Sequence, residues 1–445
     1  MTLSTEAVLA LAPDASSAKS ARELVVLSKW PTLGANDAAA WGECQGSGSR
    51  PYQTQVDLSG PAFKCSCPSR KFPCKHGLAL LLLRAQHGGA FGSTEAPAWV
   101  EEWLASRADK AQKKEDKQAE RALASAADPQ AAAKRDAQRW QRIEAAAQEL
   151  QRWLADQASS GLGVLNEATT LKTWQTLARR MVDAQAPGLG QRVQQAAEGV
   201  RRGADWPERT LARLGLLQLA CEALARRPDL PLPMQADLRV LAGWPMERAE
   251  VLAEGERVSD RWCVLGMATE EREGKLMERR VWLHGLRSGR RAGLLDHAFG
   301  GKGFEDAWLP GSSVEATLAF FPGTSALRAL AAEVPGPAQG AAWPLASLNE
   351  EWNAIARRVA ACPWLSLHPM VLPDAVPVRD AEGLTLVVQG RCLPLRLGAV
   401  DGWKLLAASG GHPLQLMGEW DGHRLAPLSA WSSGQGGLLW MRAEA

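Results

Sequence analysis

A chain of 445 residues is too long for one ordinary domain and predicts roughly two to four. Its 46% hydrophobic and 22% charged residues exclude a disordered protein. The 51 Lys and Arg against 49 Asp and Glu leave a formal charge of only +2, which excludes a bulk electrostatic drive toward nucleic acid and confines any basic surface to a local patch. The stretch Met1–Ala21 has neither the basic start nor the unbroken apolar core of a secretory signal. The longest apolar run, Leu78–Leu83, falls far short of the ~18 residues a membrane span requires. Eight cysteines are too few for a disulfide scaffold, and three of them crowd into ten positions. That clustering points to a metal in a reducing compartment, so a cytoplasmic protein with no membrane attachment is expected.

In chain order, the N-terminal region, 1–105, opens with helical stretches expected at Thr5–Ala10 and Ala21–Leu27. Tyr52, Val56 and Leu58 then sit at even offsets, which is strand period, with turn chemistry on either side in Gly46–Ser49 and Ser59-Gly60-Pro61. Ala62–Cys65 reads as a second short strand, giving a hairpin, and a helix follows from Lys75 to about Gln86, stopped by Gly88-Gly89. Together these make a small ββα unit at about 52–88. From 106 to 134 the chain turns to Lys, Gln, Glu, Asp, Arg and Ala: a charged linker or solvated helix, with a nucleic-acid-contacting arm as the lesser alternative.

From 135 to 228 apolar residues recur at three- and four-residue steps. The stripes Trp140, Ile143, Ala147, Leu150 and Leu154, then Trp174, Leu177 and Met181, then Leu211, Leu214, Leu217, Cys221 and Leu224 predict a helical bundle. From 229 to 445 the period shortens. Strands are expected within Arg261–Gly266, Lys275–Leu283, Val314–Phe320 and Leu384–Val388, a hairpin turn at Asp421-Gly422, and short helices at Ala326–Ala332 and Leu348–Val359. This is a β-rich α+β region of one or two subdomains, and no internal repeat is visible. The fold class is therefore α+β and multi-domain: a small ββα finger, a helical middle region and a β-rich C-terminal region.

The chemistry concentrates in Cys65-Ser-Cys67-Pro-Ser-Arg-Lys-Phe-Pro-Cys74-Lys-His76. Four soft or borderline ligands within twelve residues suit one closed, tetrahedral, structural Zn²⁺ site. On a flat strand Cys65 and Cys67 share a face without converging, so a bend is expected there. Two residues apart on a helix, Cys74 and His76 point about 200° apart; they converge if Cys74 precedes the helix and His76 lies in its first turn. Lys64, Arg70, Lys71, Lys75 and Arg84 form a basic rim able to offset the charge of three thiolates or to meet a partner.

This Cys-x-Cys…Cys-x-His pattern, after a hairpin and before a helix, resembles the SWIM zinc finger. The longer string from Trp41-Gly-Glu-Cys44 through Arg50-Pro-Tyr52 to His76, with Ala178–Gly188 and Arg280–Leu283, is similar to the bacterial SWIM zinc finger family proteins. The resemblance covers most of the chain, although only the finger carries a specific motif. It implies zinc binding, with DNA or protein interaction through the finger, and partners of the MoxR-type AAA+ ATPase and von Willebrand factor A-domain kinds. It brings no catalytic residues.

The remaining candidates read as structural. Cys44 lies in core or joins the site as a further thiol; Cys221, Cys263, Cys362 and Cys392 read as buried. His87 reads as a helix-end residue, and Asp296-His297 and Asp421-Gly422-His423 as loop residues. Phosphate loops, nucleophile elbows and zinc-protease helices are absent, so no enzyme and no small-molecule substrate is expected. The expected role is a protein-interaction adaptor, with DNA binding through the finger's basic rim as the alternative.

Overall fold

The computed structural model describes residues 5–9, 11–12, 15–46, 50–58, 62–69, 71–92, 95–109, 113, 129–272, 276–299, 304, 308–333, 335–336, 338–340, 343–344, 346–379, 383–432 and 437–442. Arg70 and most of the 106–134 segment lie outside them.

The N-terminal unit is an antiparallel meander of β1 (Thr32–Ala35), β2 (Ala39–Cys44), β3 (Tyr52–Asp57) and β4 (Ala62–Cys65). The expected hairpin is its second half, with Val56 opposite Phe63. The first two strands escape a sequence reading because their Ala and Gly residues are poor strand formers that alternate only weakly. α3 (Lys75–Gln86) packs on one face of the sheet, and α1 (Thr5–Leu9) and α2 (Ala15–Arg22) pack on the far side of α3. Covered from both sides, α3 is buried from His76 through Leu83, which is why its sequence shows no polar face. α2 ends at Arg22, so the helix expected at Ala21–Leu27 is corrected: the β-branched pair Val25-Val26 resists helix, and the chain turns there.

The opposite face of the sheet is covered by α4, residues 98–109, through Trp41 and Val100. Arg107 of α4 reaches Asp57 at 3.1 Å, so a domain boundary at 105 cuts through an element that belongs to the finger unit.

α5 (Pro129–Ser160), α6 (Glu167–Asp183), α7 (Pro187–Glu198) and α8 (Trp206–Ala225) enclose one core that includes Ile143, Leu150, Trp174, Met181, Val193, Leu217 and Leu224. α9 (Leu232–Leu241) and α10 (Arg248–Glu254) carry the helices beyond the expected limit at 228, and the strands begin only at Arg257. Pro228 ends α8, but Pro233 falls in the first turn of α9, where a missing N–H costs nothing. The seat of α7 on α9 depends on Gly188, whose added Cβ would lie 2.1 Å from the Leu241 carbonyl oxygen. Gly188→Ala is therefore expected to lower the stability of the helical region by about 1–3 kcal/mol, read as an earlier urea midpoint. An unchanged midpoint would refute that account of the contact.

The C-terminal part contains two barrels of one design. In the first, β5 (Arg257–Arg272) pairs with β8 (Ser312–Phe320) along its first half and with β6 (Leu276–Gly285) along its second, with a register shift between Val264 and Gly266. β7 (Arg291–Phe299) pairs with β6, and β9 (Arg328–Ala331) joins β7 in parallel and β8 antiparallel, closing the circle. Numbered from β5, the order is first, second, third, fifth, fourth: the Greek-key path of an OB-type barrel. A short β10 (Gln339–Gly340) extends it at β8. The helix expected at Ala326–Ala332 is thus a correction, since alanine content masked the strand-like alternation of buried Leu327 and Ala329 with exposed Arg328.

α11 (Leu348–Ala361) leads into the second barrel, built from β11 (His368–Arg379), β12 (Leu384–Val388), β13 (Arg391–Pro394), α12 (Ala399–Ser409), β14 (Leu414–Trp420) and β15 (Leu425–Ser432), with β16 (Leu438–Met441) at its edge. β11 pairs with β14 along its first half and β12 along its second, shifting register between Leu372 and Ala375. A parallel bridge from Leu395, just past β13, to Leu425 of β15 repeats the third-to-fifth contact. The same path is traced twice with no visible sequence repeat. Cys263, Leu265 and Trp282 of the first barrel pack on Val371, Met417, Leu428 and Trp431 of the second. Among the described residues, no helix is long and apolar enough to cross a membrane.

Candidate metal centre

The sequence builds the centre at the end of a strand and the start of a helix. Cys65 closes β4 opposite Thr54 of β3. The chain then leaves the sheet, with the Ser66 N–H donating to the Gln53 carbonyl at 2.9 Å, and bends at Cys67 as convergence requires. Cys74 is the N-cap of α3, with extended dihedrals of −75° and 163°, and His76 lies in the first turn. Gly77 follows because a Cβ there would sit 2.9 Å from the Phe63 ring, and this close approach brings α3 and β4 together.

The Sγ atoms of Cys65, Cys67 and Cys74 and a ring nitrogen of His76 all lie within 4.8 Å of one another. Cys65 Sγ is 3.8 Å from His76 Nδ1. A tetrahedron with Zn–S near 2.3 Å and Zn–N near 2.0 Å has edges of about 3.5–3.8 Å, so the Cys65–His76 separation is near such an edge and the four donors surround a space an ion could draw them into. The His76 ring turns its Nδ1 edge toward Cys65 and packs on Tyr52 with centroids 4.9 Å apart.

Each sulfur also has a backbone N–H directed at it. Cys67 N–H donates to Cys65 and Ser69 N–H to Cys67, and Gly77 N–H donates to Cys74 at 3.5 Å. These donors favour thiolate, the form a metal binds. Of the coupled pair Cys65 and Cys74, the hydrogen bond between them draws Cys74 well below the ordinary thiol range and holds Cys65 above it. Burial raises Cys67. The Thr54 hydroxyl, 3.2 Å from Cys65 Sγ, donates to it once the thiol ionises. Thr54 shares a strand face with Tyr52 and Val56, but only the cross-strand register reveals its place beside Cys65. Thr54→Val is expected to weaken metal affinity about 10–100-fold without unfolding the sheet, measured by competition with a chromophoric chelator. An unchanged affinity would remove Thr54 from the site.

The other candidates separate from the centre. Cys44 is buried among Val56, Phe63 and Leu78, its thiol raised to about 11 chiefly by burial, and it does not join the donor cluster. Of the basic rim, Lys64, Lys71 and Lys75 are exposed beside the centre. Arg84 belongs elsewhere: nine positions along α3, about 13 Å up the axis, it stacks over Phe91 at 5.5 Å. His87 is the C-cap of α3, as expected. Cys221, Cys263 and Cys362 are buried, but Cys392 is exposed, because β13 is a short strand with its outer face open. Asp421 and His423 sit in the β14–β15 turn, whereas Asp296 and His297 lie within β7, where Asp296 accepts from Arg279 at 2.6 Å.

Residues 52–85 match the family model described as SWIM zinc finger, and residues 138–242 match that of the SWIM-associated four-helix bundle domain. No curated protein and no solved structure matches the chain.

Proposed function

Because the chain belongs to the SWIM zinc finger family, we propose that it holds one structural Zn²⁺ through Cys65, Cys67, Cys74 and His76 and serves in the cytoplasm as a non-enzymatic adaptor for protein partners. Four protein donors leave no open position for a substrate, which is the arrangement of a structural ion. Bound there, zinc supplies a cross-link between the end of β4 and the start of α3.

The observation that carries the adaptor reading over DNA binding is the burial of α3. A finger that reads DNA lays its helix in the major groove with side chains free to reach the bases. Here α3 is enclosed from His76 through Leu83 between the sheet and the two N-terminal helices. Lys64, Lys71 and Lys75 remain beside the centre, enough to neutralise about three phosphates and so give only weak, salt-sensitive retention. The family resemblance directs the partner search to a MoxR-type AAA+ ATPase and a von Willebrand factor A-domain protein.

The test is a pair of titrations of the full chain, one against duplex DNA at low and physiological salt, the other against the purified ATPase and A-domain protein. Saturable protein binding with negligible DNA binding at physiological salt is expected. Tight DNA binding that is lost on combining Lys71→Glu with Lys75→Glu would overturn the reading in favour of the nucleic-acid alternative.

A further inference from the structure

A surface helix is normally apolar inside and polar outside, and α8 is apolar on both sides. Its inner face, Leu214, Leu217, Cys221 and Leu224, is buried in the bundle. Its outer face carries Leu211, Leu216 and Leu219, which are 62%, 41% and 42% exposed. Single exposed leucines are ordinary. These form a stripe with Ala212, Gly215 and half-buried Ala223, spaced at helical steps along one side, with Glu222, which accepts from Gln218, at its margin.

Gly215 sits at the middle of the stripe. A Cβ added there would meet nothing within 4 Å, so the bundle itself gives no reason for a residue that is disfavoured in helix interiors. A shallow notch flanked by leucines is the shape that admits the side chain of a second helix. The ends of the stripe carry opposite charge. Glu208 lies at the N-terminal end and Arg226 just past the C-terminal end, both exposed, and neither makes an ion pair among the described residues.

We propose that this face pairs antiparallel with α8 of a second copy of the chain, about a two-fold axis at the level of Leu217. In that register Glu208 meets the partner's Arg226, Leu211 meets Ala223, and Leu219 enters the notch at Gly215, each contact made twice by symmetry. The same face is thus complementary to itself in charge and in shape, which a surface built for an unrelated protein has no reason to be. A parallel pairing would set Glu208 against Glu208. A 20-residue helix is about 30 Å long, and one such pair reaches no more than the low end of stable interfaces, near 1,200 Å². The dimer is therefore weak and concentration-dependent. This inference is independent of the adaptor reading, since it concerns the bundle and not the finger.

Sedimentation velocity of the full chain between about 1 and about 200 μM tests it. A reversible monomer–dimer transition in the range of tens of micromolar is expected. Leu219→Glu should weaken it at least tenfold, with far-UV circular dichroism unchanged because the site is on the surface. Glu208→Arg and Arg226→Glu should each weaken it several-fold, and the double swap should restore it by re-forming the pairs in reverse. A monomer throughout, a dimer indifferent to Leu219→Glu, or a double swap that fails to restore association would overturn the proposal.

Discussion

Cys74→Ala is expected to abolish metal retention and loosen the chain from Ser66 to the first turn of α3, while the helical bundle and the two barrels melt as before. Cys74 has two roles at once: it is a ligand, and its sulfur caps α3 by accepting from the Gly77 N–H. The loss of the cap alone costs about 1 kcal/mol. The loss of the metal is larger, because structural zinc is worth about 10–16 kcal/mol in isolated finger peptides. Only part of that becomes unfolding here. The finger unit has a core of its own, in which Val56, Phe63, Phe91 and Leu78 to Leu83 are buried between sheet and helices. Limited proteolysis reads the difference: Lys71 and Lys75 flank the centre and should become early tryptic sites, with fragments beyond residue 129 persisting. Chelation of the unmodified protein should give the same pattern. A variant that keeps its metal and resists trypsin like the unmodified chain would sink both the ligand role and the proposed zinc site.

Glu419→Ala is expected to destabilise the C-terminal half by about 3 kcal/mol, the lower end for breaking a buried ion pair. Glu419 is 1% exposed, and its two oxygens accept from Arg280 Nε at 2.9 Å and Nη2 at 3.1 Å across the seam between the barrels. It also accepts the Trp282 indole N–H at 2.8 Å. Removing it orphans the indole and half-orphans the guanidinium. The cost stays near the lower end because Arg280 still reaches Glu270 at 2.7 Å. Glu419→Gln, which keeps the shape and an acceptor oxygen, should lose less. Urea unfolding followed by tryptophan fluorescence measures both, and a loss under about 1 kcal/mol for the alanine variant would show that the pair does not hold the barrels together.

Acid should act on the same seam. The hydrogen bond from Arg280 holds the Glu270 carboxyl below its ordinary range. With the folded pKa depressed, the unfolded chain binds more protons, so this contribution is complete above the ordinary carboxylate pKa and fades as pH falls through the folded one.

The metal centre was legible in sequence because its ligands are chemically distinctive and lie within twelve residues. Even the placement of Cys74 before the helix and His76 within it follows from helix geometry alone. The support around it was not legible. Thr54 is eleven residues from Cys65 and meets it only through strand register. β1 and β2 hide in alanine and glycine, and at α2 and β9 composition masks the burial pattern that decides the element. The bundle stripes at Ile143, Leu150 and Trp174 were clear because each helix buries one face. The barrels were visible as separate strands but not as barrels, since closure rests on pairings such as Gly293 with Arg328 and Leu395 with Leu425. Nothing local encodes those contacts.

The repeated strand path gives the C-terminal half a direction. The seam is not symmetric: the first strands β5 and β11 both take part, but β5 and β6 otherwise meet β14 and β15, the fourth and fifth strands of the second barrel. That is a head-to-tail contact, the kind that in separate molecules runs on into a filament unless something stops it. At the leading end α10 lies against β8, and Arg248 donates to the Ala331 carbonyl at 2.7 Å, so the first barrel is stoppered. At the trailing end Val376 and Val387 are half-buried and Cys392 is exposed, in one cross-strand row. The two barrels are a stack of two, closed by α10 at the leading end.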